Sequence, residues 1–214
     1  MSAADAPDVF PAPPTPLVAD DRHWVSWTNR VWRVHEQKTG RPGWDELRHF
    51  GPVDGQRFDP QDPPTGDHKP QGVQYVAGTM LVAVTETFQR TRMIPVHNKA
   101  LWLYGWTPAR PMRLLDIRSD FGATNGASAS FNAADKATTR EWARAAHRQW
   151  TDLDGLLYTA KVSGGDAIAL FTNAAGIPVW PDYPSYARAL TDPAAHPDLS
   201  AAAAQVHWGL DYGA

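Results

Sequence analysis

The segment Met80 to Gln89 constrains this chain more than any other. Leu81, Val84, Thr85 and Phe88 recur at i, i+3, i+4 and i+7, the spacing of one helix face. Val82 and Ala83 widen the apolar surface around most of the circumference, and a helix of that kind is buried. Gly78-Thr79 supplies the start signal, with Thr79 as the cap. The helix carries one acid, Glu86, beside Val82 and Ala83. A buried carboxylate costs several kcal/mol unless something binds it. The readings open are a partly exposed glutamate, one paired to Arg90 one turn on, or a functional carboxylate facing a cleft.

The segments before the helix bear on that choice. Gly55-Gln56-Arg57-Phe58-Asp59-Pro60 reads as a turn, Pro60 to Pro70 as a loop and Val73-Gln74-Tyr75-Val76 as a short strand. Earlier, Asn29 to His35 alternates, with Val31, Arg33 and His35 on one face and Trp32 and Val34 on the other. Either Arg33 lies on an exposed edge or it projects a cation into a cleft. Taken singly, Arg57 reads as a surface arginine in a turn and Tyr75 as a core tyrosine.

The remaining pattern describes an α+β domain. Residues 1–20 are proline-rich and predict a flexible leader, with a single domain over residues 21–214. Gly40 to Phe50 reads as a turn region. Ala100 to Trp106 and Arg113 to Ile117 predict strands, the first apolar on both faces. Phe121 to Ala134 reads as a loop with at most one helical turn. Thr138-Thr139-Arg140-Glu141 matches a capping box opening a helix to Trp150, with Trp142, Ala145, Ala146 and Gln149 on its stripe and His147 on the solvated side. Gly155 to Tyr158 and Ala167 to Phe171 predict a hairpin closed by Ser163-Gly164-Gly165-Asp166. Tyr186 to Leu190 predicts a short helical piece, and Leu199 to Val206 an alanine-rich helix.

Composition excludes several function classes. The chain has no cysteine, so thiol catalysis and cysteine-bound zinc are out. A net charge of -3 with scattered basic residues leaves no footprint for nucleic acid or an acidic membrane. No HExxH, GxSxG, Walker or GxGxxG pattern occurs. No signal peptide or membrane span is visible, so a cytoplasmic protein is expected.

In order along the chain, Val31-Trp32-Arg33-Val34, Gly55-Gln56-Arg57-Phe58-Asp59, Val73-Gln74-Tyr75-Val76-Ala77 and Met80 to Phe88 resemble the RES domain. Gly155 to Ala160 and Ala167 to Phe171 resemble its later strands. The resemblance spans Asn29 to Phe171. It implies an ADP-ribosyltransferase-like core of twisted, mainly antiparallel sheets with flanking helices. It also implies the toxin of a toxin–antitoxin pair, partnered by an Xre-family antitoxin, with NAD as substrate and no metal. The expected activity is NAD glycohydrolase or phosphorylase; the alternatives are an ADP-ribosyltransferase acting on a protein and a silent binding module.

The same resemblance assigns catalysis to Glu86, Tyr75 and Arg57, and NAD binding to Arg33, Arg57, Phe58, Tyr75, Thr159 and Ser163. Two departures stand out. Asp59 replaces an asparagine and would bring a negative charge towards a pyrophosphate. Ala160 replaces a serine, leaving Thr159 or Ser163 to supply a hydroxyl.

Overall fold

The computed structural model describes residues 10–128 and 131–213. Along the chain come β1 (Trp24–Trp27), β2 (Val31–Glu36), β3 (Phe50–Gly51), β4 (Gly66–Asp67), β5 (Val73–Ala77), α1 (Met80–Phe88), β6 (Met93–Pro95), β7 (Leu101–Trp106) and β8 (Met112–Asp116). They are followed by α2 (Phe121–Thr124), α3 (Lys136–Gln149), β9 (Gly155–Thr159), β10 (Asp166–Phe171), β11 (Tyr186–Ala189), α4 (His196–Gln205) and β12 (Gly209–Asp211). Eight strands form one sheet in the order β1-β8-β9-β10-β5-β2-β7-β11. Its neighbours are antiparallel except β8 and β9. The fold is therefore α+β around a large, mostly antiparallel sheet.

Both faces of the sheet are covered, which is why its strands carry near-continuous apolar runs. On β10, Ala167, Ala169 and Phe171 pack with Trp142, Ala143 and Ala146 of α3, while Ile168 and Leu170 turn to the other face with Trp106 and Met112. A third cluster joins Val84 and Phe88 of α1 to Leu103 of β7 and Leu199 of α4. Trp32 lies opposite Gly105 in the β2–β7 register, and a Cβ at Gly105 would come within 2.8 Å of the indole. The glycine, one strand in from the β11 edge, makes room for the tryptophan on the face of the sheet. No described helix is long and apolar enough to cross a membrane.

The α1 prediction holds: Thr79 Oγ1 accepts the Val82 N–H at 3.2 Å, and the helix runs to Phe88. Other expectations change. Helix α3 starts at Lys136, capped by Asp135 Oδ1 accepting the Thr138 N–H at 2.9 Å, because a carboxylate already stands one turn before the expected box. His147 is half-buried rather than solvated. Its Nε2 bonds the Thr172 carbonyl at 2.8 Å and its ring lies edge-on to Phe171. Tyr186 to Ala189, expected to be helical, forms edge strand β11 against β7. Within the predicted leader, residues 1–9 lie outside the described residues, and the part from Phe10 to Asp20 packs along α3. Phe10 sits 4.6 Å from Phe131, Trp142 Nε1 donates to the Pro11 carbonyl, and Gln149 pairs with both backbone groups of Leu17.

Candidate functional site

Strands β2 and β5 are neighbours in the sheet, yet their register contains one pair, Trp32 with Ala77. Beyond it β2 keeps its ladder with β7 and β5 keeps its ladder with β10, so the two strands part. Helix α1 follows β5 directly and lies beside the gap. The result is a cleft of about 440 Å³ lined by Arg33, His35 and Glu36 from β2, Tyr75 from β5, and Ala83, Glu86 and Thr87 from α1. Arg41, Arg48, Gln56 and Tyr158 complete its wall.

Glu86 is half-buried in that wall. Its Oε1 accepts the Lys161 N–H at 3.2 Å, and the Val162 amide also stabilises the carboxylate. Burial pushes its pKa above the ordinary 4.5, while these amides and the nearby Arg57 charge oppose the rise. The partner is thus the β9–β10 turn, not Arg90.

Tyr75 presents its ring to the cleft, but its hydroxyl is engaged elsewhere. It donates to Asp59 Oδ1 at 2.8 Å and accepts the Phe58 N–H at 3.0 Å. Burial and the Asp59 charge keep the phenol protonated. Asp59 is fully buried and does not line the cleft. It receives Arg48 Nη2 on both oxygens at 2.7 and 2.8 Å, and the Val53 N–H at 2.8 Å. The charge expected near a pyrophosphate is neutralised inside the protein.

Arg57 does not line the cleft. Its Nη1 donates to the carbonyls of Ala134 at 2.6 Å and Phe131 at 3.3 Å, placing a positive charge behind Glu86 and Tyr158. Phe58 is fully buried with its ring 4.7 Å from that of Tyr158, so it supports the wall from within. Thr159 and Ser163 lie outside the cleft lining. Thr159 accepts Asn132 Nδ2 on its carbonyl, and Ser163 Oγ is buried without a hydrogen-bond partner among the described residues. Ala160 is buried as well.

Arg33 is half-buried, donates to the Trp44 carbonyl at 3.4 Å and has no carboxylate partner among the described residues. Burial and the charge of Arg48 lower its pKa to about 10, so it stays cationic at neutral pH. His35 is held down to about 4 by burial and by Arg33, and is therefore neutral. Sequence reading missed Arg41 and Arg48. Arg41 sits in a bend and Arg48 in a lone bridge to Val73, too short a stretch of regular chain for periodicity to mark which side chain turns inward. No group of three or more histidines and acids among the described residues could hold a metal ion.

Arg33 and Arg48, the ring of Tyr75 and the half-buried carboxylate of Glu86 thus converge on the gap between β2 and β5. A sequence model of the RES domain matches residues 30–191. The chain belongs to the RES-domain family. The matched span runs from just before β2 to just past β11, so both cleft walls lie within the RES domain. A search of curated proteins finds no match. Among solved structures, a chain of the M. tuberculosis MbcT–MbcA toxin–antitoxin complex aligns with a TM-score of 0.52 at 16% identity, over 84% of this chain and 93% of that one. At that identity the likeness speaks for the fold, which the RES domain here shares.

Proposed function

We propose that this RES domain is an NAD-degrading toxin of a toxin–antitoxin pair, cleaving the nicotinamide–ribose bond with Glu86 as the catalytic carboxylate. The observation that carries the reading is Glu86 itself, fixed by backbone amides in a cleft that also holds the cation Arg33, which meets no carboxylate among the described residues. In the reaction the C1′–N bond breaks and its electron pair stays on the pyridine nitrogen. Nicotinamide thereby leaves neutral, and no strong acid is required. The ribose becomes oxocarbenium-like, as in glycoside cleavage, and a carboxylate beside it lowers that barrier. Water or phosphate then attacks C1′ and gives up its proton. Arg33 suits the dinucleotide's pyrophosphate, and the Tyr75 ring suits the nicotinamide or ribose face. Arg57 acts from behind the wall: its charge favours the ionised form of Glu86.

The toxin reading rests on the RES membership and on the fold shared with a chain of a toxin–antitoxin complex. An open NAD-consuming cleft would harm its own cell, so a partner that covers it is expected; the RES resemblance points to an Xre-family antitoxin. Incubating the purified protein with NAD, with and without phosphate, tests the chemistry by mass spectrometry. ADP-ribose marks hydrolysis, and its 1″-phosphate marks phosphorolysis. Intact NAD at high enzyme concentration, with no partner bound, would leave a silent binding module.

A further inference from the structure

A second cavity of about 770 Å³ adjoins the cleft. Arg41, Pro42, Arg48 and Gln56 line both spaces. On the far side of this shared rim lie Leu47, His49, Phe50 and Val53, with Glu46 and Asp67. Small-molecule sites typically span roughly 300–1,000 Å³, and each space falls in that range.

The lining has the character of a nucleoside site. Phe50 is 56% exposed on β3 and lines the cavity. Aromatic faces of this kind stack bases. His49 Nδ1 is buried without a hydrogen-bond partner among the described residues. Glu46 and Asp67 offer acceptors to hydroxyl or amino groups. The rim has the opposite sign: Arg41 meets Glu36 at 3.4 Å in an exposed pair, and such pairs contribute little, so a phosphate can replace the glutamate. Arg48 donates to the Phe50 carbonyl while pairing with Asp59, tying the position of the ring to that of the cleft.

We propose that this second cavity binds the adenosine half of the dinucleotide, with the pyrophosphate running from Arg33 across the Arg41–Arg48 rim and the nicotinamide half beside Glu86. This rests on the proposed NAD-cleaving function for the identity of the reacting half. It makes the protein selective for a dinucleotide over nicotinamide mononucleotide.

The test uses the full chain and its Phe50→Ala variant, with folding checked by thermal denaturation. With NAD, the variant should show a KM raised about tenfold and an unchanged kcat; tenfold corresponds to ~1.4 kcal/mol of lost stacking. Turnover of nicotinamide mononucleotide, slower from the start, should be the same in both proteins. Calorimetry with ADP-ribose gives a readout that needs no turnover, and Phe50→Ala should weaken that binding by the same factor. If NAD is not consumed but ADP-ribose binding depends on Phe50, the proposed reaction falls and the nucleoside site stands. Equal ADP-ribose affinity in the two proteins overturns the site whatever the turnover, as does an equal change towards both substrates.

Discussion

Asp59→Asn, which restores the residue type of the RES pattern, should destabilise this protein. The side chain is fully buried and accepts hydrogen bonds from three groups, Arg48, Tyr75 and Val53 N–H, through four contacts of 2.7 to 2.8 Å. A carboxylate can satisfy all of them because both oxygens only accept. An asparagine must turn an NH₂ towards one side. Facing Val53, it meets a backbone N–H. Facing Tyr75, it forces the hydroxyl to accept from both Phe58 N–H and the new amide, leaving its own proton without a partner. Either way one buried donor is unsatisfied, which costs about 1–3 kcal/mol. Removing the charge opposite Arg48 adds to this, towards the ~3–5 kcal/mol typical of a broken buried pair. Arg48 is partly exposed, so a total of about 2–4 kcal/mol is expected. In a protein of this size that lowers Tm by roughly 5–15 °C.

Urea unfolding at pH 7 measures the loss. Tyr75→Phe removes the donor that an amide would face, so the double variant should be less destabilised than the sum of the singles, with a coupling of about 0.5–3 kcal/mol. A loss under about 1 kcal/mol for Asp59→Asn, or strict additivity with Tyr75→Phe, would refute the network reasoning.

Glu86→Gln should abolish NAD consumption, about 10²–10³-fold or more in rate, while the wild type's activity should fall on the acid side at a pH above the ordinary glutamate value of 4.5. Because the folded-state pKa of Glu86 is raised, its ionised form burdens the fold. The Gln variant should therefore be the more stable at neutral pH, with the advantage fading as pH falls towards 4.5, as read by urea midpoints. His35 shows the opposite limb. Its pKa is lowered from 6.5 to about 4, so stability is complete above 6.5 and is lost as pH falls through that window. At pH 5 the loss should be about 1–2 kcal/mol, since solvent in the cleft screens part of the shift, and His35→Gln should flatten it; an unchanged acid limb would remove His35 from the account.

Legibility in the sequence follows the range of the forces involved. Helix α1, its Thr79 cap, the alternation in β2 and the β9–β10 hairpin are set by neighbours a few residues apart, and all are readable. The start of α3 is misplaced by sequence because two local caps compete, and only tertiary placement selects Asp135. Tyr186 to Ala189 has no strong preference of its own and is a strand because the edge of β7 is there to pair with. At the site, the regular elements around Glu86 and Tyr75 are readable, but the pattern alone leaves Glu86 open and Tyr75 in the core; it is the RES resemblance that points both to the cleft, where they lie. The duties of Asp59, Arg48 and Arg57 are not visible in it. Arg48 and Asp59 lie 11 residues apart on either side of the two-residue strand β3, and the carbonyls that hold Arg57 are more than 70 residues away.

The single rung between β2 and β5 also has a mechanical meaning. Trp32 and Ala77 join a block of three strands, β2-β7-β11, to a block of five, β1-β8-β9-β10-β5. Each block is laddered internally, whereas the seam is held by one pair and by α1 lying alongside it. A load that separates the walls meets least resistance there, so the sheet behaves as two stiff plates on a narrow hinge. Hydrogen exchange should follow this seam, with amides of β2 and β5 that face the cleft exchanging ahead of those in the β9–β10 ladder. Exchange led by this seam would make the width of the gap the soft coordinate of the sheet, and anything seated in it would work against that hinge rather than against the core.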